Sequence, residues 1–546
     1  MRRPPLCVKR KAAGWRYPGL LEHNYGMTRR ARPLIAYSAV LGCLLLTSGV
    51  PAQQTAPAGR PIQPAPPDPA IAAALARISA EQVRADIAKL VSFRNRSTLS
   101  SMDSDLPPGT GVLAAADWIA AEFERISEAC GHCLEVKRDD FVEPPQQGPA
   151  ARILKPTRIV NVYAVLRGSD PAQADRRVLV TGHYDSRNSD TLNTHDEAPG
   201  ANDDASGVAV SLESARALTA SSIKFPATIV FAAVAGEEQG LNGSAHLAKL
   251  AKEQGWKLEA VLNNDIVGGD TTPGDTMQDK TAVRVFSEGV PAGTTDADLR
   301  RIQTVGAEND SPSRELARAI AGIAQSYFQP LTTHAGPVAA GQARSHLVRV
   351  IAAFHPVLIF RRDRFLRGGD HASFNAQGFA AVRFTEWREN FNHQHQSVRI
   401  ADGTNPDGTR GKVQFGDLLE FVDTNYVANV ARLNAATLAT LALAPGEPEN
   451  VHVLTTELDN NTQLAWEPPK GFPAGASYEV VWRDTSVPTW TNVESVGNKT
   501  SVTLPISKDN TIFGVRSVDT AGHRSPAVYP WPTRTRSIPP AASAPK

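Results

Sequence analysis

Residues 178–207 read VLVTGHYDSRNSDTLNTHDEAPGANDDASG. A short β-rich run, Val178 to Thr181, is followed at once by His183 and Asp185; farther on, Asn202-Asp203-Asp204 precedes Ala205-Ser206-Gly207 and a segment, Gly207 to Ala220, with helical apolar spacing. The alternation continues downstream. Thr228 to Val234 is a fully apolar strand, Leu241 to Glu253 a second helix, Glu259 to Asn263 a third strand and Ala380 to Phe384 a later one. Strands buried on both faces and separated by helices predict an α/β fold: a mostly parallel mixed sheet sandwiched by helices. Sites in such sheets gather at the carboxyl ends of the strands. The polar residues accumulate there, with His183 and Asp185 after the first strand, Glu237-Glu238 after the second and Asp265 after the third.

The chain has 546 residues, more than one hydrophobic core accommodates, so two or three domains are expected. Its 57 basic and 56 acidic side chains leave a net charge of +1, which argues against nucleic acid as a partner. At the N-terminus, Arg29, Arg30 and Arg32 precede the apolar run Leu34 to Leu46, and Val50-Pro51-Ala52 supplies small residues for cleavage. This predicts a leader over residues 1–52 with a secretory signal, the translation start falling at Met1 or Met27, and export to the periplasm or outside the cell. The run is too short to span a membrane comfortably. Gly42-Cys43 leaves lipidation open, although Leu44-Leu45-Leu46 continues the apolar core past it. Residues 53–69, rich in Pro and Ala, read as linker or pro-segment.

Four cysteines are present, and Cys7 and Cys43 would leave with the leader. Cys130-Gly131-His132-Cys133 ends a helix pattern that begins near Val112. A zinc site needs about four ligands and no second pair exists, so in an oxidising compartment a local disulfide is expected, with free-thiol redox chemistry as the alternative.

Singly, the polar residues have ordinary explanations: a Glu-Glu pair at a helix start meets the helix dipole, and an aspartate after a strand is a turn residue. Their coincidence is what points to chemistry. Three carboxylates and two histidines, each past a strand or in a loop, form a ligand set suited to zinc. Two such ions, about 3.5 to 4 Å apart, can share a bridging carboxylate.

Between roughly Ala80 and Leu443 the chain resembles the co-catalytic di-zinc aminopeptidases of family M28, exopeptidases of α/β sandwich fold. The motifs that carry this are His183-Tyr184-Asp185-Ser186, Pro199 to Gly207, Gly236-Glu237-Glu238-Gln239-Gly240, Asn264-Asp265 and Gly369-Asp370-His371. The resemblance implies a peptidase domain over residues 70–445 with two Zn2+ per chain. Asp203 would bridge them, His183 and Asp265 would complete one site, and Glu238 with a late histidine the other. Glu237 falls on the general acid/base and Asp185 on the carboxylate that orients His183. The peptide bond after the bridging Asp203 would be cis. For the late histidine, His393 and His395 compete; His395 stands just ahead of a short polar turn, as the family's ligand does. His371 would line the site or serve a structural role. The implied reaction is hydrolysis of the N-terminal bond of peptides with a free N-terminus.

Two other readings are open. A mono-zinc glutaminyl cyclase resembles this fold but lacks the first histidine ligand, which His183 supplies. A non-catalytic adhesion protein would have lost ligands or Glu237, and none is missing. The chain departs from the family pattern at 332–353, read as a loop or added helix. It departs again at Arg361, Arg362, Arg364 and Arg367, any of which can receive a substrate carboxylate or simply be solvated.

After Pro445 the texture changes to short alternating runs: Val451 to Leu454, Thr462 to Trp466, Tyr478 to Trp482, Ser501 to Leu504 and Phe513 to Val518. These predict an all-β sandwich over 446–532 followed by a flexible tail, 533–546. Leu464 to Pro469 and Val518 to Gly522 resemble a fibronectin type III module, with Phe513 where that family often has tyrosine. Packing, or attachment to a surface or polymer, is the role this implies.

Overall fold

The computed structural model describes residues 59–328, 331–334, 348–351 and 353–534. The leader with Met27 and Cys43, the first residues of the 53–69 segment, the middle of 332–353 and all but the start of the tail lie outside the described residues.

Eight strands form one mixed sheet in the order His355–Ile359, Ala282–Ser287, Ala381–Glu386, Lys257–Asn264, Arg176–His183, Thr228–Val234, Thr157–Leu166, Leu134–Glu143. The four strands from Ala381–Glu386 to Thr228–Val234 run parallel, and antiparallel pairings flank them on both sides. Alternation along each strand divides two cores. Val178, Val180, Ile229 and Phe231 face helices Gly111–Ala129, Ala205–Thr219 and Thr424–Leu443, whereas Leu179, Val230 and Ala232 face Asn242–Glu253. With both faces covered, every residue of Thr228–Val234 is buried.

The parallel core matches the sequence reading. The antiparallel wing Leu134–Glu143 escaped it because an edge strand needs only one apolar face, and this one carries LEVKRDDFVE. At the two ends of the 332–353 segment, Leu331–His334 and Val348–Ile351 pair as an antiparallel ribbon, and the residues between them lie outside the described residues. Cys130 and Cys133 are joined by a disulfide just past the end of helix Gly111–Ala129.

The C-terminal segment forms two four-stranded sheets that share a core of Trp466, Tyr478, Val480, Trp482, Phe513 and Val515. One edge is closed by Arg60–Pro61, paired with Asn492 and Val493, so part of the segment read as linker is an edge strand of this domain. The domain meets helix Pro312–Tyr327 through buried charges: Arg483 reaches Asp310 at 2.6 Å, and Trp490 Nε1 donates to Glu315 at 2.8 Å.

The carboxyl ends of the parallel strands need loops held in place, and a close approach and one arginine do this. A Cβ on Gly182 would stand 2.4 Å from the backbone of Gly207, so only glycines let helix Ala205–Thr219 begin directly on the strand. Arg96 is fully buried. It donates to the carbonyls of Tyr184 (2.7 Å), Leu90 (3.0 Å), Pro199 (2.6 Å) and Gly200 (2.9 Å), clamping both ends of the loop quoted above. Arg96→Ala strands these acceptors. It is expected to destabilise the protein by about 3 kcal/mol or more in chemical denaturation, since each unsatisfied buried group costs about 1 to 3 kcal/mol. A loss under about 1 kcal/mol would show that the clamp is redundant.

Candidate metal centre

Helix Ala205–Thr219 is capped by Asp204, whose side chain accepts from the amides of Gly207 (2.8 Å) and His183 (3.0 Å). The preceding peptide bond, Asp203–Asp204, is cis. Asp417 accepts from the amides of Asn202 (2.8 Å) and Asp203 (2.7 Å). The Asp203 carboxylate presents one oxygen to each of two histidines. Oδ1 lies 3.2 Å from His183 Nε2, and Oδ2 lies 2.9 Å from His395 Nε2.

Around it the titratable atoms fall into two groups, His183 with Glu237 and Asp265, and Asp203 with Glu238 and His395, each with its candidate ligand atoms within 4.8 Å of one another. His395 Nε2 is 3.1 Å from Glu238 Oε1, and His183 Nε2 is 3.9 Å from Asp265 Oδ1. Two arginines brace the acids from behind: Arg383 meets Asp265 at 2.7 Å, and Arg187 meets Glu238 at 2.8 Å and also the Nδ1 edge of His395. His183 Nδ1 faces Asp185, 3.1 Å from its carbonyl and 3.4 Å from its carboxylate. That carboxylate also accepts from Thr98 Oγ1 (3.0 Å) and from the amides of Glu237 (3.4 Å) and Glu238 (3.2 Å). Asp185 therefore ties the first histidine to the Glu-Glu turn.

The donor set fits a zinc-type ion. It combines imidazole nitrogen and carboxylate oxygen, and His183 Nε2 and Glu238 Oε1 are buried among the other candidate ligand atoms, close to them but in no well-aligned hydrogen bond. The two adjacent glutamates differ sharply. Burial, together with neighbouring Asp265, Glu238 and Asp370, pushes the Glu237 carboxyl well above its usual range against the pull of His183. Burial acts on Glu238 too, but His395 and Arg187 outweigh it and hold that carboxyl low. His395 is raised to about 10, because Glu238 and Asp203 more than offset its desolvation.

The site opens into a cavity of about 560 Å³ lined by Asp203, Glu237, Glu238, Asp265 and His395 together with a rim of other residues. Of the seven non-glycine residues with positive φ among those described, four line it: Leu241, Ile266, Leu366 and His395. A left-handed backbone at β-branched Ile266 is costly and persists where its surroundings impose it: here its carbonyl accepts from the backbone amide of Glu386 and its amide donates to the Asp204 carboxylate.

His183, Asp185, Asp203, Glu237, Glu238, Asp265 and His395 thus converge on one site. His393 does not join them. It pairs with Asp270 at 2.9 Å and stacks on Phe421. The expectation that His371 lines the site is corrected: it is absent from the cavity wall and fully buried, with Nε2 2.8 Å from the Arg362 carbonyl, and burial lowers its pKa to about 4. Sequence reasoning missed Arg96, Arg187, Arg383 and Asp417. Only Arg187, in the same acid-rich loop as His183 and Asp185, carried a local signal.

Comparison with known proteins agrees with this chemistry. The profile described as "Peptidase family M28" matches residues 161–305. A "probable zinc metalloprotease" of Leptosphaeria maculans is 44% identical over 86% of this chain and 99% of its own length. A protein of the same description from Pyricularia oryzae is 44% identical over 88% of each chain. Among solved structures, the LapA aminopeptidase of Legionella pneumophila aligns with 68% of this chain and 74% of its own at 21% identity and a TM-score of 0.43, too distant to bear on the reaction. With this degree of identity running nearly the full length of a curated relative, the chain belongs to peptidase family M28 and is a zinc metallopeptidase.

Proposed function

We propose that the protein is an exported aminopeptidase that holds two zinc ions and removes the N-terminal residue from peptides with a free N-terminus. The observation that carries this reading is the Asp203 carboxylate, whose two oxygens face His183 and His395 separately. That arrangement suits a bridge between two ions, with His183 and Asp265 on one side and Glu238 and His395 on the other. A buried His183 in this position also disfavours the mono-zinc cyclase reading, in which the ligand is missing. When bound, the ions supply Lewis acidity that acidifies a coordinated water and polarises the scissile carbonyl.

The remaining work belongs to the chain. Glu237 has no ion-pair partner among the described residues and is partly open to the cavity that it lines, which suits a group that takes a proton from water and passes it to the leaving amine. Glu238, held low by its cationic neighbours, stays anionic and suits a ligand. Proximity alone would let Glu237 bind metal too; the opposed environments of the two glutamates support the division of labour. Asp185 receives both of their amides and so fixes the turn relative to His183. Asp265 is held in register by Arg383. The C-terminal domain, two facing sheets of short strands around Trp466 and Trp482, is proposed to be a fibronectin type III-like module for surface or polymer attachment.

Glu237→Gln is expected to retain zinc while kcat falls by about 10² to 10⁴-fold, the usual contribution of general acid/base catalysis, with KM changing much less. Glu238→Gln should lose metal as well as rate. A Glu237→Gln enzyme that keeps most of its kcat contradicts the mechanism.

Metal analysis of the purified protein should approach two zincs per chain, and Asp203→Ala should empty both positions. Two tightly bound zincs in that variant would overturn the bridging role.

A further inference from the structure

The cavity has a floor and a rim of opposite sign. Asp203, Glu237, Glu238 and Asp265 form the floor, and Arg152, Arg187, Arg364 and Arg367 line the same cavity. Arg187 is committed to Glu238 and His395, and Arg364 to Asp363 (3.0 Å) and Glu389 (2.7 Å). The other two have charge to spare. Arg152 is partly exposed and donates to the carbonyl of Glu238, and no carboxylate stands within ion-pair distance of it among the described residues. Arg367 meets Glu389 at 2.6 Å, but that single carboxylate is shared with Arg364 and Arg284 and is held down to about 2, burial being outweighed by the arginines around it. The Arg367 side chain remains 31% exposed. Beside it stand two exposed apolar side chains of the same rim, Leu366 and Phe391, with the Arg367 guanidinium over the Phe391 ring.

Arginines whose charge serves only solvation stand out in water. These two instead line the cavity that holds the cluster, where low-dielectric walls strengthen their field. Once the four floor carboxylates are balanced by bound cations, the arginines set the sign of the entrance. A guanidinium offers a fixed fork of donors that a carboxylate matches.

We propose that Arg152 and Arg367 form an anion subsite that binds a carboxylate on the leaving fragment of the substrate, selecting short peptides by their C-terminal carboxylate or by an acidic side chain following the scissile bond. The inference rests on the peptidase reading for where the cleaved bond lies, and it names two specificity-determining residues for that reaction.

The test compares matched peptides on the zinc-loaded enzyme: Leu-Gly-Gly as acid and as amide for the main-chain source, and Leu-Asp-Gly-amide against Leu-Asn-Gly-amide for the side-chain source. Binding of the same pairs to zinc-loaded Glu237→Gln is measured by calorimetry, so that recognition is read independently of turnover. The expected result is an advantage in kcat/KM and in affinity of about tenfold for the charged member of at least one pair, shrinking at high salt and falling toward one in Arg152→Gln/Arg367→Gln. The pair that shows the advantage identifies the source. Tighter binding of the charged peptide without any release of leucine would preserve the subsite and sink the aminopeptidase reading instead. Equal binding and turnover of both pairs, or an advantage unchanged in the double variant, overturns the proposal.

Discussion

The structure depends on a concentration of negative charge: Asp185, Asp203, Asp204, Glu238, Asp265, Asp370 and Asp417 are all buried, with Glu237 beside them, at one end of four parallel strands. Carboxylates taken out of water are costly unless paired, hydrogen-bonded or joined to a metal. The chain meets part of this cost itself. Asp204, Asp185 and Asp417 receive backbone amides, and Arg187 and Arg383 each stand against one acid. Asp203 is served mainly by two imidazoles, one on each oxygen, and a histidine contributes compensating charge only by taking a proton or by sharing a cation. A zinc metallopeptidase supplies that cation.

The same constraint explains why so much of the backbone here is unusual. Loops that bring acids this close must turn sharply, and positive φ values at Leu241, Ile266, Leu366 and His395 accompany them. The two cores on either side of the sheet, together with the Arg96 clamp, hold the loops against relaxation. Stability is thus concentrated in the sheet and spent at its ends, the division of roles that open α/β sheets permit.

The parallel core could be read from the sequence because strands buried on both faces are written as unbroken apolar runs; Thr228–Val234 has the bounds that its residues imply. Leu134–Glu143, an edge strand full of charge, and the buried helix Thr424–Leu443, apolar around most of its circumference, carry no such contrast. Within the site, His183, Asp185, Glu237, Glu238 and Asp265 were visible because each stands at or just past the end of a strand, and Asp203 because it stands just ahead of a helix. Arg383 and Asp417 were not, because they reach Asp265 and Asp203 across 118 and 214 positions of chain and no local pattern marks them. His371 shows the opposite error: it sits in a well-marked motif, Gly369-Asp370-His371, yet its ring turns to the Arg362 carbonyl and not to the cavity.

The central claim, that one aspartate joins two ions, is tested most directly by anomalous diffraction at the zinc edge from crystals of the zinc-loaded protein. The account predicts two peaks about 3.5 to 4 Å apart, one against each oxygen of Asp203, the first beside His183 and Asp265 and the second beside Glu238 and His395. A single peak, or two peaks of which only one touches Asp203, would contradict it.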